Sequence, residues 1–127
     1  MEPRTYLRIE GLTVLCLALG SYVVLDGPIW LLLVLGLAPD LSMLGYLAGP
    51  RVGSVTYNLV HTYTLPLVLA VAGVWVGVEM AMLIAAIWTG HIGADRLFGY
   101  GLKFESGFTQ THLSSQPAPI EALTESE

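Results

Sequence analysis

Two histidines and two aspartates give this sequence its chemistry, because all four lie in or beside long apolar runs. His91 and Asp95 are four residues apart in the stretch WTGHIGADRLFGYGLK. A helix would place them on one face, about one turn apart. Ionisable side chains in such segments are costly and rare, and they usually face other protein groups. We therefore expect segments further upstream to supply partners for this pair.

The upstream candidates lie near prolines. Asp40 follows Pro39 in the middle of an apolar run, where a proline deprives a helical carbonyl of its usual partner. An acid beside such an interruption needs a partner of its own. Further along, polar side chains recur at spacings of three and four residues, which places them in one stripe of a helix. This stripe consists of Ser54, Asn58, His61 and Thr62.

Two imidazoles and two carboxylates suit a divalent metal ion such as zinc. Zinc accepts histidine nitrogen and carboxylate oxygen, and at an open coordination position it activates a water molecule as a nucleophile. The predicted metal ligands are Asp40, His61, His91 and Asp95, and no organic cofactor is expected. The residues assigned to substrate binding or ligand orientation are Asn58, Thr62, Arg96, Lys103 and His112. Among these, the two cations would stabilise an anionic group such as phosphate.

The composition predicts an integral membrane protein. Of the 127 residues, 54% are hydrophobic and 12% are charged, whereas a soluble domain carries about 25% charged residues. The formal net charge is −5, which disfavours nucleic acid as a partner because phosphate binding needs a basic face. Membrane lipids are the expected partners. The single cysteine, Cys16, gives no disulfide framework.

Four apolar segments are long enough to cross a bilayer, and short connections join them. The predicted fold is an all-α bundle of four transmembrane helices, with spans at about 6–25, 28–47, 52–74 and 78–98. Together they form a transmembrane domain over residues 1–103. The remaining residues, 104–127, are rich in Ser, Pro, Glu and Ala and are predicted to form a short, mostly disordered cytoplasmic tail.

The basic residues orient this bundle. All five would lie on one side of the membrane: Arg4, Arg8, Arg51, Arg96 and Lys103. The turns on the other side carry Asp26 and Glu79. The positive-inside rule then predicts two cytoplasmic termini and a multi-pass protein of the inner (plasma) membrane. With this topology, the helical rise places the four predicted ligands in the cytoplasmic half of the bundle.

Several runs resemble a known family. PDLSMLGYLAGPRVG, YNLVHTYTLP and HIGADRLFGYGLK, followed by GFTQTHL, are similar to the small bacterial integral-membrane family catalogued as domain-of-unknown-function family 4260. This resemblance implies a four-span membrane protein without an assigned activity. A weaker similarity, in the order Pro-Asp, His with a nearby Thr, then His-x-x-x-Asp, is to membrane-bound metal-dependent hydrolases of the bacterial inner membrane. Ser42 and Thr62 stand where those hydrolases have an acid and an arginine.

Three functions remain open at this stage. The first is a metal-dependent hydrolase that acts on a phosphoester or lipid-like substrate at the cytoplasmic leaflet. The second is a proton or ion conduit, since Asp and His chains also form relays in membranes; four spans would make a thin pathway unless the chain forms a homo-oligomer. The third is a non-catalytic membrane protein, in which the stripe around His61 forms interhelical hydrogen bonds and Asp95 with Arg96 marks the interface. The sequence alone does not decide whether the protein is an enzyme.

Overall fold

The chain folds into helices throughout the residues that the structure, a computed structural model, describes, which are residues 2–102. The helices are α1 (Pro3–Val24), α2 (Ile29–Leu35), a 3-10 helix (Ala38–Ala48), α3 (Pro50–Val60), α4 (Thr64–Val76) and α5 (Glu79–Leu97). No strand occurs within these residues, so the all-helical prediction is confirmed for them. The predicted tail, 104–127, lies outside the described residues.

Three helical segments are long and apolar enough to cross a membrane: Pro3–Val24, Ile29–Ala48 and Pro50–Val76. The second combines α2 with the 3-10 helix, and the third combines α3 with α4. Large apolar side chains are fully exposed on their surfaces, as at Leu47 and Trp75, which suits contact with lipid. The chain is therefore a membrane protein. The fourth span, which would be α5, stays a prediction, as do the cytoplasmic termini and the inner membrane as location.

α1 and α5 pack against each other in backbone contact. A Cβ added at Gly93 would lie 2.8 Å from the carbonyl oxygen of Gly11 and 2.9 Å from the amide nitrogen of Leu15. Small residues at helix interfaces in membranes permit this close approach. α4 packs on α5 as well. The contacts with α1 and α4 together fix the rotation of α5 about its own axis.

A small apolar cluster joins α1, α2 and α5. It consists of Tyr22, Leu31, Leu83 and Ile87, all of them buried. The Tyr22 hydroxyl also donates a hydrogen bond to the carbonyl of Pro28, at 2.5 Å, so the turn between α1 and α2 is tied to the end of α1. The cluster thereby sets the position of α2 beside α5.

Two of the three apolar segments, Ile29–Ala48 and Pro50–Val76, are interrupted a few residues before a proline. α2 ends at Leu35, whose carbonyl cannot accept a helical hydrogen bond from Pro39 because proline has no N–H. Likewise, Pro66 has no N–H to donate to the carbonyl of Thr62, and its ring would clash with that carbonyl in a continuous helix. Pro66 itself lies in the first turn of α4, where proline is tolerated. The α-helix thus ends ahead of Pro39 and passes through residues 36–37, which keep right-handed helical backbone angles, into the 3-10 helix. The third segment is interrupted at residues 61–63.

Candidate metal centre

The two interruptions and α5 bring four ionisable side chains together. Asp40 lies in the first turn of the 3-10 helix, His61 follows the last residue of α3, and His91 and Asp95 are one turn apart on α5. Each residue offers one candidate ligand atom, and these four atoms lie within 4.8 Å of one another. The residues predicted from sequence as metal ligands thus form one cluster.

Each histidine contacts both carboxylates through the same ring nitrogen. His61 Nε2 lies 3.3 Å from Asp40 Oδ1 and 3.4 Å from Asp95 Oδ2. His91 Nε2 lies 3.1 Å and 3.3 Å from the same two oxygen atoms. Two nitrogens and two oxygens therefore alternate around a common centre.

Main-chain carbonyls fix the tautomer of both rings. His61 Nδ1 donates to the carbonyl of Tyr57 at 2.9 Å, and His91 Nδ1 donates to the carbonyl of Gly36 at 2.6 Å. A carbonyl oxygen only accepts hydrogen bonds, so Nδ1 carries the proton in each neutral imidazole. In the neutral form each Nε2 then directs a lone pair at the two carboxylate oxygens, whereas in the imidazolium form it donates a hydrogen bond to them. Two lone pairs and two carboxylates facing one point call for a positive charge between them.

Four of the six distances among the candidate ligand atoms match those of a tetrahedral metal site, and the widest separation within the cluster is at most 4.8 Å. With bonds of about 2.0–2.1 Å, typical of zinc with nitrogen and oxygen ligands, the ligand atoms of a tetrahedron lie about 3.3–3.4 Å apart. The four nitrogen–oxygen distances in the cluster span 3.1–3.4 Å. The set of His₂Asp₂ ligands also matches the donor preference of zinc and similar ions. A divalent ion would neutralise the two carboxylates, so the centre would carry no net charge within the membrane.

Side chains of α5 also form hydrogen bonds to the interruption after α3. Trp88 Nε1 donates to the carbonyl of Val60 at 2.6 Å, and Arg96 Nη2 donates to the carbonyl of His61 at 3.4 Å. These carbonyls lie at or beside the end of α3, where they lack helical partners. An unsatisfied backbone group costs several kcal/mol in a membrane. α5 therefore contributes both two of the cluster residues and the hydrogen bonds that stabilise this interruption.

Ring packing immobilises His61. The imidazole stacks on the ring of Tyr57, with centroids 3.8 Å apart and planes 7° from parallel. It also meets the ring of His91 edge-on, at 5.3 Å. Tyr57 and Trp88 were not predicted as site residues. The signal for Tyr57 was its position one turn before His61, whereas no feature of the sequence pointed to the carbonyl of Gly36.

The cluster is buried on one side and open on the other. The side chains of His61 and His91 are 3% and 8% exposed, whereas those of Asp95 and Asp40 are 21% and 40% exposed. A cavity of about 340 Å³ between α1, α2 and α5 reaches Asp40, His91 and Asp95. A small molecule can therefore approach the carboxylates while the imidazoles stay enclosed.

The other residues assigned from sequence fall into two groups. Arg96 lies next to the site, with its guanidinium 5.1 Å from the ring centroid of Tyr63. Thr62 donates to the carbonyl of Leu59 in its own segment, and Asn58 lies half-buried on α3, one turn before His61. Lys103 and His112 lie outside the described residues. The roles proposed for these five in substrate binding stay predictions.

Comparison with known proteins identifies the family. No curated protein and no solved structure matches the chain, and the comparisons give no support to the similarity with membrane-bound metal-dependent hydrolases. One family model, described as a domain of unknown function (DUF4260), matches residues 4–115. This match includes every residue of the cluster and both helix interruptions. The chain therefore belongs to the DUF4260 family.

Proposed function

We propose that this protein is a membrane metalloprotein that binds one zinc-like divalent ion and uses it to hydrolyse a phosphoester or lipid-like substrate. The ligands are Asp40, His61, His91 and Asp95. One observation carries the proposal: the Nε2 atoms of both histidines face the same two carboxylate oxygens at 3.1–3.4 Å. A cluster that served helix packing alone would need only one such pair.

The fixed tautomers support a metal over a simple hydrogen-bond network. A network without an ion needs a proton on each Nε2, and that proton would be shared between two oxygens at nearly equal distances. One divalent ion satisfies all four ligand atoms at once and balances both negative charges. The hydrogen bonds from Nδ1 to carbonyls are the arrangement that orients histidine ligands in metal sites.

The open side of the cluster supports hydrolysis over a purely structural role. Four protein ligands fill a tetrahedral zinc site, whereas a catalytic site keeps a position for water, so hydrolysis would require the ion to become five-coordinate or a water molecule to take the place of Asp40. Asp40 is the most exposed of the four side chains and borders the cavity. In the reaction, the oxygen of water bonds to the phosphorus, the phosphorus–oxygen bond to the alcohol breaks, and one water proton goes through a carboxylate to the leaving alcohol.

The metal content of the detergent-purified protein tests the proposal. We expect one zinc per chain in the wild type, and loss of that zinc in His91→Ala. An Asp95→Asn variant should also bind zinc more weakly. Its matched control is Asp26→Asn, because Asp26 lies exposed in the turn after α1. The metal proposal fails if the wild type, reloaded with zinc, retains no more than His91→Ala.

A second candidate function is an ion conduit, and the interrupted helices favour it specifically. Interrupted helices that expose main-chain carbonyls beside an ion are the arrangement found in ion-coupled transporters. Here the carbonyls of Gly36 and His61 lie beside the cluster. Zinc or proton flux into proteoliposomes, measured beside hydrolysis of a phosphodiester lipid, separates the two: a hydrolase shows turnover without flux, and a conduit shows flux without turnover.

A further inference from the structure

The cavity beside the cluster has one polar end, and the remainder of its wall is apolar. We call it the α1–α2–α5 groove. Asp40, His91 and Asp95 form the polar end. The apolar wall includes Leu15, Leu19, Leu32, Ala86, Ile87 and Phe98. This division matches a molecule that itself has a polar end and an apolar body.

The groove is long enough to hold an extended chain. Ala86 and Asp95, which both line it, are nine residues apart on α5, and this spacing corresponds to about 13 Å along the helix. Its volume of about 340 Å³ lies in the range of about 300–1,000 Å³ for small-molecule sites. An acyl chain could thus lie along α5 with its ester at the carboxylates.

A second cavity of similar size lacks the polar end. It lies between α1, α4 and α5, has a volume of about 390 Å³, and is lined by no ionisable residue among those the structure describes. Any lipid chain in the bilayer can fill such a space. The α1–α2–α5 groove differs because its occupant must also complement two carboxylates and an imidazole.

The rim of the groove indicates how an occupant enters. Leu37 and Phe98 line it and are 71% and 67% exposed, so it opens onto an apolar surface. A helix from a second copy of the chain would bring apolar side chains to the carboxylates and leave them without a polar partner. A lipid brings an apolar chain together with phosphoester oxygens, which would bind the metal ion held by the carboxylates.

We propose that the substrate of the metal centre is a membrane phospholipid, one of whose acyl chains lies in the α1–α2–α5 groove while its phosphoester reaches the Asp40 and Asp95 end. This inference rests on the proposed metal centre for its chemistry. Each methylene of the acyl chain that is buried in the groove adds to the affinity. The bound chain thereby positions the phosphoester at the cluster. The enzyme would therefore select long-chain lipids over the free headgroup.

Native mass spectrometry of the zinc-loaded, detergent-purified protein tests this assignment. The probes are palmitoyl-lysophosphatidylglycerol and, as the headgroup alone, glycerol phosphate. Leu19→Trp narrows the groove alone, from α1, whereas Ala86→Phe narrows both the groove and the second cavity from α5, since Ala86 lines both. Leu17→Trp is the matched control, because Leu17 lies on the same helix and lines the other cavity. Both leucines are exposed, so the two variants are expected to fold alike.

We expect lysophosphatidylglycerol to bind the wild type and Leu17→Trp equally, and to bind Leu19→Trp and Ala86→Phe about tenfold more weakly, which corresponds to the loss of about two buried methylenes. Glycerol phosphate should bind far more weakly than the lysolipid. Equal lysolipid affinity in all four proteins, or equal affinity for both probes, overturns the groove assignment.

Zinc content, measured on the same samples, separates the two proposals. Stoichiometric zinc together with unchanged lysolipid binding in Leu19→Trp and Ala86→Phe would refute the groove and leave the metal centre standing. Absence of zinc together with selective loss of lysolipid binding in those variants would refute the metal centre and retain the groove as a lipid site.

Discussion

The continuous helices of this protein form its scaffold, whereas the interrupted segments carry part of the site. α1 and α5 have 22 and 19 residues without a break, and they meet through glycines in backbone contact. The Ile29–Ala48 and Pro50–Val76 segments are interrupted, with Asp40 in the first turn after one interruption and His61 at the start of the other. A continuous helix satisfies its own backbone and can serve as a scaffold. An interrupted one exposes carbonyls that need partners, and those carbonyls orient the side chains of the site.

α5 belongs to both parts. Its glycine face packs on α1, whereas Trp88 and His91 on another face donate to carbonyls of the interrupted segments. Arg96 lies beside the glycine face, against Gly11, and donates to the carbonyl of His61. The comparison therefore predicts that damage to the glycine face affects the whole fold, and that damage to the polar faces affects the site first. The following substitutions test this division, from the largest expected effect to the smallest.

Gly93→Leu should have the largest effect. The added side chain would collide with the backbone of α1 at Gly11 and Leu15, so we expect the free energy of unfolding to fall by about 3 kcal/mol or more. Gly20→Leu is the control, because a Cβ there meets nothing within 4 Å. Unfolding in detergent, followed by circular dichroism, provides the measurement. Equal stability of the two variants would show that the α1–α5 contact is not the scaffold.

Asp95→Asn should affect the site and spare the fold. It removes one charged ligand from the cluster, so zinc affinity should fall by at least about a hundredfold, the upper range for loss of an outer-shell partner. Asp26→Asn should leave zinc affinity unchanged. Competition with a chelating dye measures both variants. An unaltered zinc affinity in Asp95→Asn would exclude this carboxylate from the metal centre.

Trp88→Phe tests the link between α5 and the interruption after α3. The carbonyl of Val60 loses its indole donor, which should cost about 1–3 kcal/mol of stability and weaken zinc binding by about tenfold through displacement of His61. Trp75→Phe is the matched control, since Trp75 is 87% exposed. If the two variants retain zinc equally, the interruption is held without Trp88.

Thr62→Ala should have the smallest effect. The Thr62 hydroxyl donates to the carbonyl of Leu59 in its own segment and not to a residue of the cluster. We expect a change of less than about 0.5 kcal/mol in stability and no measurable change in zinc affinity. A large loss of lipid hydrolysis in this variant, with zinc retained, would instead assign Thr62 to the substrate.

The sequence predicted the cluster because ionisable side chains are few in these apolar runs. An ionisable side chain is costly to place in lipid, and this cost singled out four residues: Asp40, His61, His91 and Asp95. A shared site was the simplest way to offset that cost. Tyr57 and Trp88 did not stand out, since aromatic residues are common in membrane helices for reasons unrelated to a site. Their roles depend on ring stacking and on a carbonyl that only the folded chain brings within reach.

By itself, the sequence determined the helical class, the membrane setting and the identity of the clustered residues, because burial cost and the chemistry of proline act locally along the chain. The tertiary structure alone decided which side chains bind the carbonyls freed at residues 36–37 and 61–63, the tautomers of both imidazoles and the side on which the cluster is open. These features depend on contacts between residues as far apart as Gly36 and His91, and such contacts exist only after the helices have packed.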